Sequence, residues 1–184
     1  PYMITRISDD RYIIKMENEK PYGMGVFIDI YPYDGLGTTE KEAVTYGMKG
    51  DRLSSLCYQS TREHFAIETT TSLFRKIIKY PVFIGSKLIG KDYFQKKLNQ
   101  LVELKEYEDS NYIGCVVWLS GGKKEIFLRK WFDETVMVPF EKYQFRVPKD
   151  YDEVLRHTYG DYMQLPPEKD RIGHHYFKAY RKDE

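Results

Sequence analysis

Cysteine, histidine and net charge are all scarce in this sequence. Its 29 Lys and Arg residues are matched by 28 Asp and Glu, leaving a formal net charge of +1 over 184 residues. Such a balance creates no field that would gather a polyanion, so no nucleic-acid partner is expected. Cys57 and Cys115 are the only cysteines; with no disulfide framework around them they read as reduced core thiols of a cytosolic protein. No long hydrophobic run exists either. The best stretch, Tyr80 to Gly90, is interrupted by Pro81, Gly85 and Lys87. It falls far short of the roughly 18 apolar residues of a membrane span and is suited at most to peripheral contact with a membrane, at its inner face. No signal peptide opens the chain, and its first residue is Pro1 rather than Met, which suggests residues missing upstream. Gly-x-Gly-x-x-Gly, Gly-x-x-x-x-Gly-Lys, Gly-x-Ser-x-Gly, Cys-x-x-Cys and His-Glu-x-x-His are absent. Their absence argues against dinucleotide binding, P-loop chemistry, a hydrolase elbow and a zinc site.

Aromatic residues, by contrast, are plentiful. Seventeen Tyr and ten Phe exceed what a disordered segment carries, so the chain is expected to be ordered and globular, as a single domain spanning 1–184. Three regions follow one another: strands in 1–37, helices in 38–109, and strand, helix and loop in 110–184. Arg11 to Lys15 and Gly25 to Tyr31 have the β-branched and aromatic content of strands, the second a central one ended by Pro32. Thr39 and Glu42 have capping-box spacing. They open a helix to about Tyr46, with a second expected over Asp51 to Ala66, a third over Thr70 to Tyr80 ended by Pro81, and a fourth from Lys91. On the fourth, Phe94, Leu98, Leu101 and Leu104 share a face. Tyr112 to Leu119 reads as a strand; Glu125 to Trp131 fits either a helix or an extended piece. Glu134 to Phe140 and Tyr143 to Val147 form a predicted hairpin around Glu141 and Lys142. Tyr151 to Tyr159 is a predicted helix ended by Gly160, before a loop-like tail.

Among residues that carry chemistry, Asp29 stands out. It lies between large apolar neighbours in Phe27-Ile28-Asp29-Ile30-Tyr31, on the strand face opposite Ile28 and Ile30. A carboxylate there is costly unless it is paired, hydrogen-bonded or bound to a cation. Two readings stand open: a strand-end residue bonded to a neighbouring group, or a functional carboxylate. Asp34, in Tyr33-Asp34-Gly35, has the chemistry of a turn. Tyr159 to Met163, with Asp161 leaving a helix end, suits a substrate wall. Arg171 and His174, in the basic aromatic tail, are candidates for phosphate contact; adjacent His174 and His175 cannot both reach one ion from a strand.

The segment Gly25-Val-Phe-Ile-Asp-Ile-Tyr-Pro-Tyr-Asp-Gly35 closely resembles a strand motif of the LicD family, and a second block returns near the C-terminus. That block comprises Trp131-Phe132, Val138-Pro139-Phe140-Glu141, Val147-Pro148, Tyr151-Asp152, Leu155, Tyr159 to Met163 and Leu165-Pro-Pro167. The resemblance implies an α+β fold with a nucleotidyltransferase-like mixed sheet and a helical middle section. It also implies a transferase that moves phosphocholine, or a similar alcohol phosphate, from CDP-choline or another CDP-alcohol to a sugar of a surface glycan such as lipopolysaccharide or teichoic acid. The implied cofactor is Mg2+, which takes hard oxygen ligands. It would be held by three carboxylates, of which Asp29 is one and serves as ligand, base or both. Arg6 falls where the family carries a basic residue and is a candidate for phosphate contact; Asp34, Tyr159 and Asp161 match family positions. The Gly-Gly turn and Asp-x-Asp strand that supply the other two carboxylates are absent here. The chain alone is therefore expected to lack the N-terminal metal-motif strands, to be inactive, and to show an unpaired edge or apolar gap beside Asp29. Alternatives are a CDP-ribitol or CDP-glycerol donor, or a non-catalytic glycan- or partner-binding module that kept the fold.

Overall fold

The computed structural model describes residues 4–16, 23–65, 73–118, 122–168, 171 and 177–182. The fold is α+β. Strands β1 (Thr5–Asp9), β2 (Tyr12–Met16), β3 (Val26–Ile30) and β4 (Asp34–Gly37) precede helices α1 (Glu40–Thr61), α2 (Leu73–Ile89) and α3 (Lys91–Val102). Then come β5 (Tyr112–Gly114), β6 (Phe127–Leu128), β7 (Thr135–Phe140), β8 (Tyr143–Pro148), α4 (Tyr151–Tyr159) and β9 (Phe177–Arg181). Among the described residues every strand pairing is antiparallel, in small ladders rather than the single mixed sheet that the resemblance implied.

The chain divides into two compact units. One comprises residues 1–31, 52–99 and 172–184. In it β1 pairs with β3, setting Arg6 opposite Asp29 and Ile7 opposite Ile28, and β2 pairs with β9. Ile14, Cys57, Phe83, Phe94 and Leu98 are buried. The β1–β3 ladder is two-stranded among the described residues, so β3 is not the central strand its composition suggested. Alternation puts Ile7, Val26, Ile28 and Ile30 on one face, which is exposed; Ile28 shows 70% of its surface. This exposed apolar face lies on the side of β3 opposite Asp29.

The other unit comprises residues 32–51 and 100–171. Strands β4, β5 and β6 form one ladder, β7 and β8 a hairpin, and Leu36, Leu101, Ile113, Val116 and Phe127 are buried. Tyr33-Asp34-Gly35 is not a turn but the entry to β4. A Cβ on Gly35 would collide with the Glu106 carbonyl oxygen and lie 2.5 Å from the Ser110 hydroxyl, so this glycine serves close approach.

Helix α1 runs unbroken through Gly47 and Gly50, where a break was predicted. A Cβ on Gly50 would meet the Val116 carbonyl oxygen, so that glycine too permits close packing. The capping box forms in modified shape: Thr39 Oγ1 accepts from the Glu42 amide at 3.3 Å, while Glu42 Oε2 accepts from the Thr38 amide at 3.0 Å. Helix α2 continues through Pro81 to Ile89, beyond the predicted stop. The proline withholds one amide, from the carbonyl of exposed Ile77, which water can solvate. On α3, Phe94, Leu98 and Leu101 are buried as expected, but Leu104 lies beyond the helix and is exposed. The Tyr112 to Leu119 run is strand only to Gly114, then turns at Val116 and Val117, its apolarity reflecting burial rather than extension. Between Gly122 and Phe132 two 3-10 turns flank β6. The hairpin and α4 with its Gly160 stop are as predicted; β9, in the tail, was not.

Candidate functional site

The β1–β3 register brings two of the predicted residues together. Arg6 Nε donates to Asp29 Oδ1 at 2.6 Å, and the side chains are 18% and 21% exposed. The guanidinium carbon lies 4.1 Å from the Phe27 ring centroid, so Arg6 is held by a carboxylate and an aromatic face together. Val26, Ile28 and Ile30 take one face of β3 and leave Phe27 and Asp29 on the other, which is why an ionised residue survives in so apolar a segment. Asp29 is thus a paired carboxylate. Among the described residues no group of three or more His, Cys, Asp or Glu side chains is placed to hold a metal ion. The described residues alone do not fit a magnesium site; they offer Asp29 as one ligand at most.

Asp34 lies in the other unit, on β4 opposite Gly114. Its Oδ2 is buried without a hydrogen-bond partner among the described residues. Burial raises its pKa, and a hydrogen bond from the Val116 amide offsets this in part. Neighbouring Cys115 is pushed up to about 12, chiefly by burial with a contribution from the Asp34 charge, which leaves it an unreactive thiol. Cys57 is raised by burial as well.

The raised Asp34 carboxyl has a consequence for stability. A group whose folded pKa exceeds its unfolded one contributes fully below the unfolded pKa, and that contribution is lost as pH rises through the folded value. Asp34→Asn, which keeps an acceptor for the Val116 amide, is expected to raise the melting temperature at about pH 7 and to leave it unchanged at about pH 3. Calorimetric melts of both proteins at the two pH values check this.

The remaining predicted residues are dispersed. Tyr159 is 69% exposed at the end of α4, and Asp161 is exposed just after it. Arg171 Nε donates to the Pro166 carbonyl at 2.9 Å, so it braces the Pro166-Pro167 segment. His174 lies outside the described residues. What the sequence did not reveal is a clamp within the C-terminal block: Asp152 accepts from Tyr162 Oη at 2.6 Å and from Arg156 Nε at 2.7 Å. Those two bonds, Tyr162 first, hold the Asp152 carboxyl below its ordinary range. The spacing of Asp152 and Arg156, four residues apart on a helix, was a readable signal; the return of Tyr162 was not. A cleft of about 420 Å³ lined by Val138, Val147, Pro148, Tyr151, Val154 and Leu155 lies in the same unit, predominantly apolar and without any predicted site residue.

The fold and this site define an α+β protein that carries an arginine-paired aspartate on a short antiparallel ladder. Over 157 residues the chain is 32% identical to lipopolysaccharide cholinephosphotransferase LicD of Haemophilus influenzae, a match covering 84% of this chain and 57% of that relative. The chain belongs to the LicD family. It spans little more than half the length of the relative it matches. No family model matches the chain, and no solved structure does.

Proposed function

We propose that the protein takes part in moving phosphocholine, or a similar alcohol phosphate, from a CDP-linked donor to a sugar of a surface glycan. The observation that carries this reading is the Arg6–Asp29 pair, set within the segment that resembles the LicD strand motif. The likeness to a lipopolysaccharide cholinephosphotransferase supports it. In this reaction the oxygen of a sugar hydroxyl bonds to the phosphorus that bears choline. The bond from that phosphorus to the bridging oxygen breaks, CMP leaves, and the hydroxyl proton goes to a base. Asp29 is the proposed base, with Arg6 holding its carboxylate in one orientation and offering positive charge to the diphosphate. Mg2+ would add charge neutralisation, with Asp29 one ligand and two further carboxylates coming from outside this chain.

A donor competition tests the reading. The full-length protein is given an envelope glycan, Mg2+ and an equimolar mixture of CDP-choline, CDP-glycerol and CDP-ribitol. Phosphocholine is expected to be the main group found on the glycan by mass spectrometry. Glycerol or ribitol phosphate in its place would keep the reaction class and change the donor, and an unmodified glycan would support the binding-module alternative.

A further inference from the structure

Helix α2 is turned inside out relative to an ordinary surface helix. Phe83 and Ser86 are buried, and Lys87 Nζ donates to the carbonyls of Arg62 at 2.7 Å and Glu63 at 3.3 Å, so the protein holds the helix on this side. The apolar residues face the other way. At 100° per residue, the positions from Tyr80 through Ile84, Ile77 and Leu88 round to Ile78, Ile89 and Val82 sweep about 200° of the circumference. All seven are exposed, Leu88 by 83% and Ile77 by 64%. A continuous apolar surface of this kind on a folded protein marks an interaction site.

The charge beside it identifies the occupant. Residues 73–98 contain Arg75, Lys76, Lys79, Lys87, Lys91, Lys96 and Lys97 against the single acid Asp92, seven positive and one negative. The chain as a whole is +1, so the rest of it is net negative and the stretch that carries the apolar arc is locally basic. A second copy of the chain on this face would bring the same positive stretch against itself. An anionic lipid surface answers both features, taking the apolar arc into the headgroup and acyl boundary and the lysines against its phosphates. At 17 residues, α2 is suited to lying in that plane, and among the described residues no helix is long and apolar enough to cross a membrane.

We infer that α2 is an in-plane membrane anchor that docks the protein on anionic phospholipid through Ile77, Ile84 and Leu88, with flanking lysines selecting the charge. Nothing in this depends on the transferase reading.

Vesicle flotation tests it, using phosphatidylethanolamine with phosphatidylglycerol beside phosphatidylcholine alone. The protein is expected to float with the anionic vesicles, to stay behind with the zwitterionic ones, and to release as salt rises from about 0.05 to 0.5 M. Ile77→Glu combined with Leu88→Glu should weaken flotation about tenfold or more, and because both side chains are exposed the circular dichroism and melting temperature should not change. Flotation retained in full by the double variant would overturn the assignment to α2, and equal flotation on both vesicle types would overturn the charge selection. No flotation, with a dimer in light scattering that the double variant abolishes, would assign the face to a second copy and overturn the proposal.

Discussion

Asp29→Asn is expected to cut phosphocholine transfer by the full-length protein about 10²- to 10⁴-fold, the range a general base contributes. The substitution keeps size and leaves an amide oxygen to accept from Arg6 Nε, so the β1–β3 register should survive. What it removes is the negative charge, and with it the capacity to take a proton or hold a cation. The structural cost is limited to a weakened hydrogen bond in a pair about one-fifth exposed, about 1–2 kcal/mol at most. Arg6→Lys gives a second reading of the same pair. A lysine keeps the charge but not the planar fork that rests on Phe27 and meets the carboxylate, so an intermediate loss of transfer is expected. If the pair only tied β1 to β3, both variants would lose activity in proportion to lost stability, which urea titration alongside the assay would reveal.

The second large effect concerns Gly25, the residue before β3. A Cβ there would overlap the Asp9 carbonyl oxygen and come within 2.8 Å of the Tyr12 carbonyl oxygen. Both obstacles are backbone, so no side chain can swing aside. The Gly25 amide also donates to Ser8 Oγ at 2.9 Å, fixing the chain at the point where β3 begins. Gly25→Ala is therefore expected to cost about 3 kcal/mol or more, or to abolish folding of this unit. Gly85→Ala is the matched control: nothing lies within 4 Å of its Cβ position, and it sits inside α2. That change should stabilise by up to about 1 kcal/mol, as alanine does over glycine in a helix. Urea titrations of both variants measure the contrast.

Gly25 also shows what the sequence could and could not convey. Its place at the head of the resembling segment was visible, but the reason for a glycine was not, because Asp9 and Tyr12 approach it only in the folded chain. The same holds for Gly35 and Gly50, read as a turn and as part of a helix break; both admit backbone that arrives from distant residues, 106 and 116. Strand alternation, a local property, placed Asp29 on the face away from Ile28 and Ile30 correctly. Its pairing with Arg6 depends on register across 23 residues and was not readable, although both residues had been singled out for separate reasons. Pro81 misled because a helix interior tolerates a proline where the orphaned carbonyl reaches water. The tail read as loop because β9 takes its order from β2, which lies at the other end of the chain and meets it only after folding, as in the register pair Tyr12 to Arg181. The Tyr162–Asp152 bond belongs with these: a loop closing on its own helix leaves no periodic trace.

The most direct test of the transferase account is to follow both products of the proposed reaction at once. The full-length protein would be incubated with Mg2+, lipopolysaccharide and CDP-choline labelled in the choline methyl groups. CMP release and label on the glycan would then be measured over time. The account predicts that the two appear one to one, and that both disappear together in Asp29→Asn protein whose circular dichroism is unchanged. CMP and labelled glycan formed at an undiminished rate by the folded Asp29→Asn variant would contradict the role assigned to Asp29. CDP-choline left intact by the unmodified protein would contradict phosphocholine transfer itself.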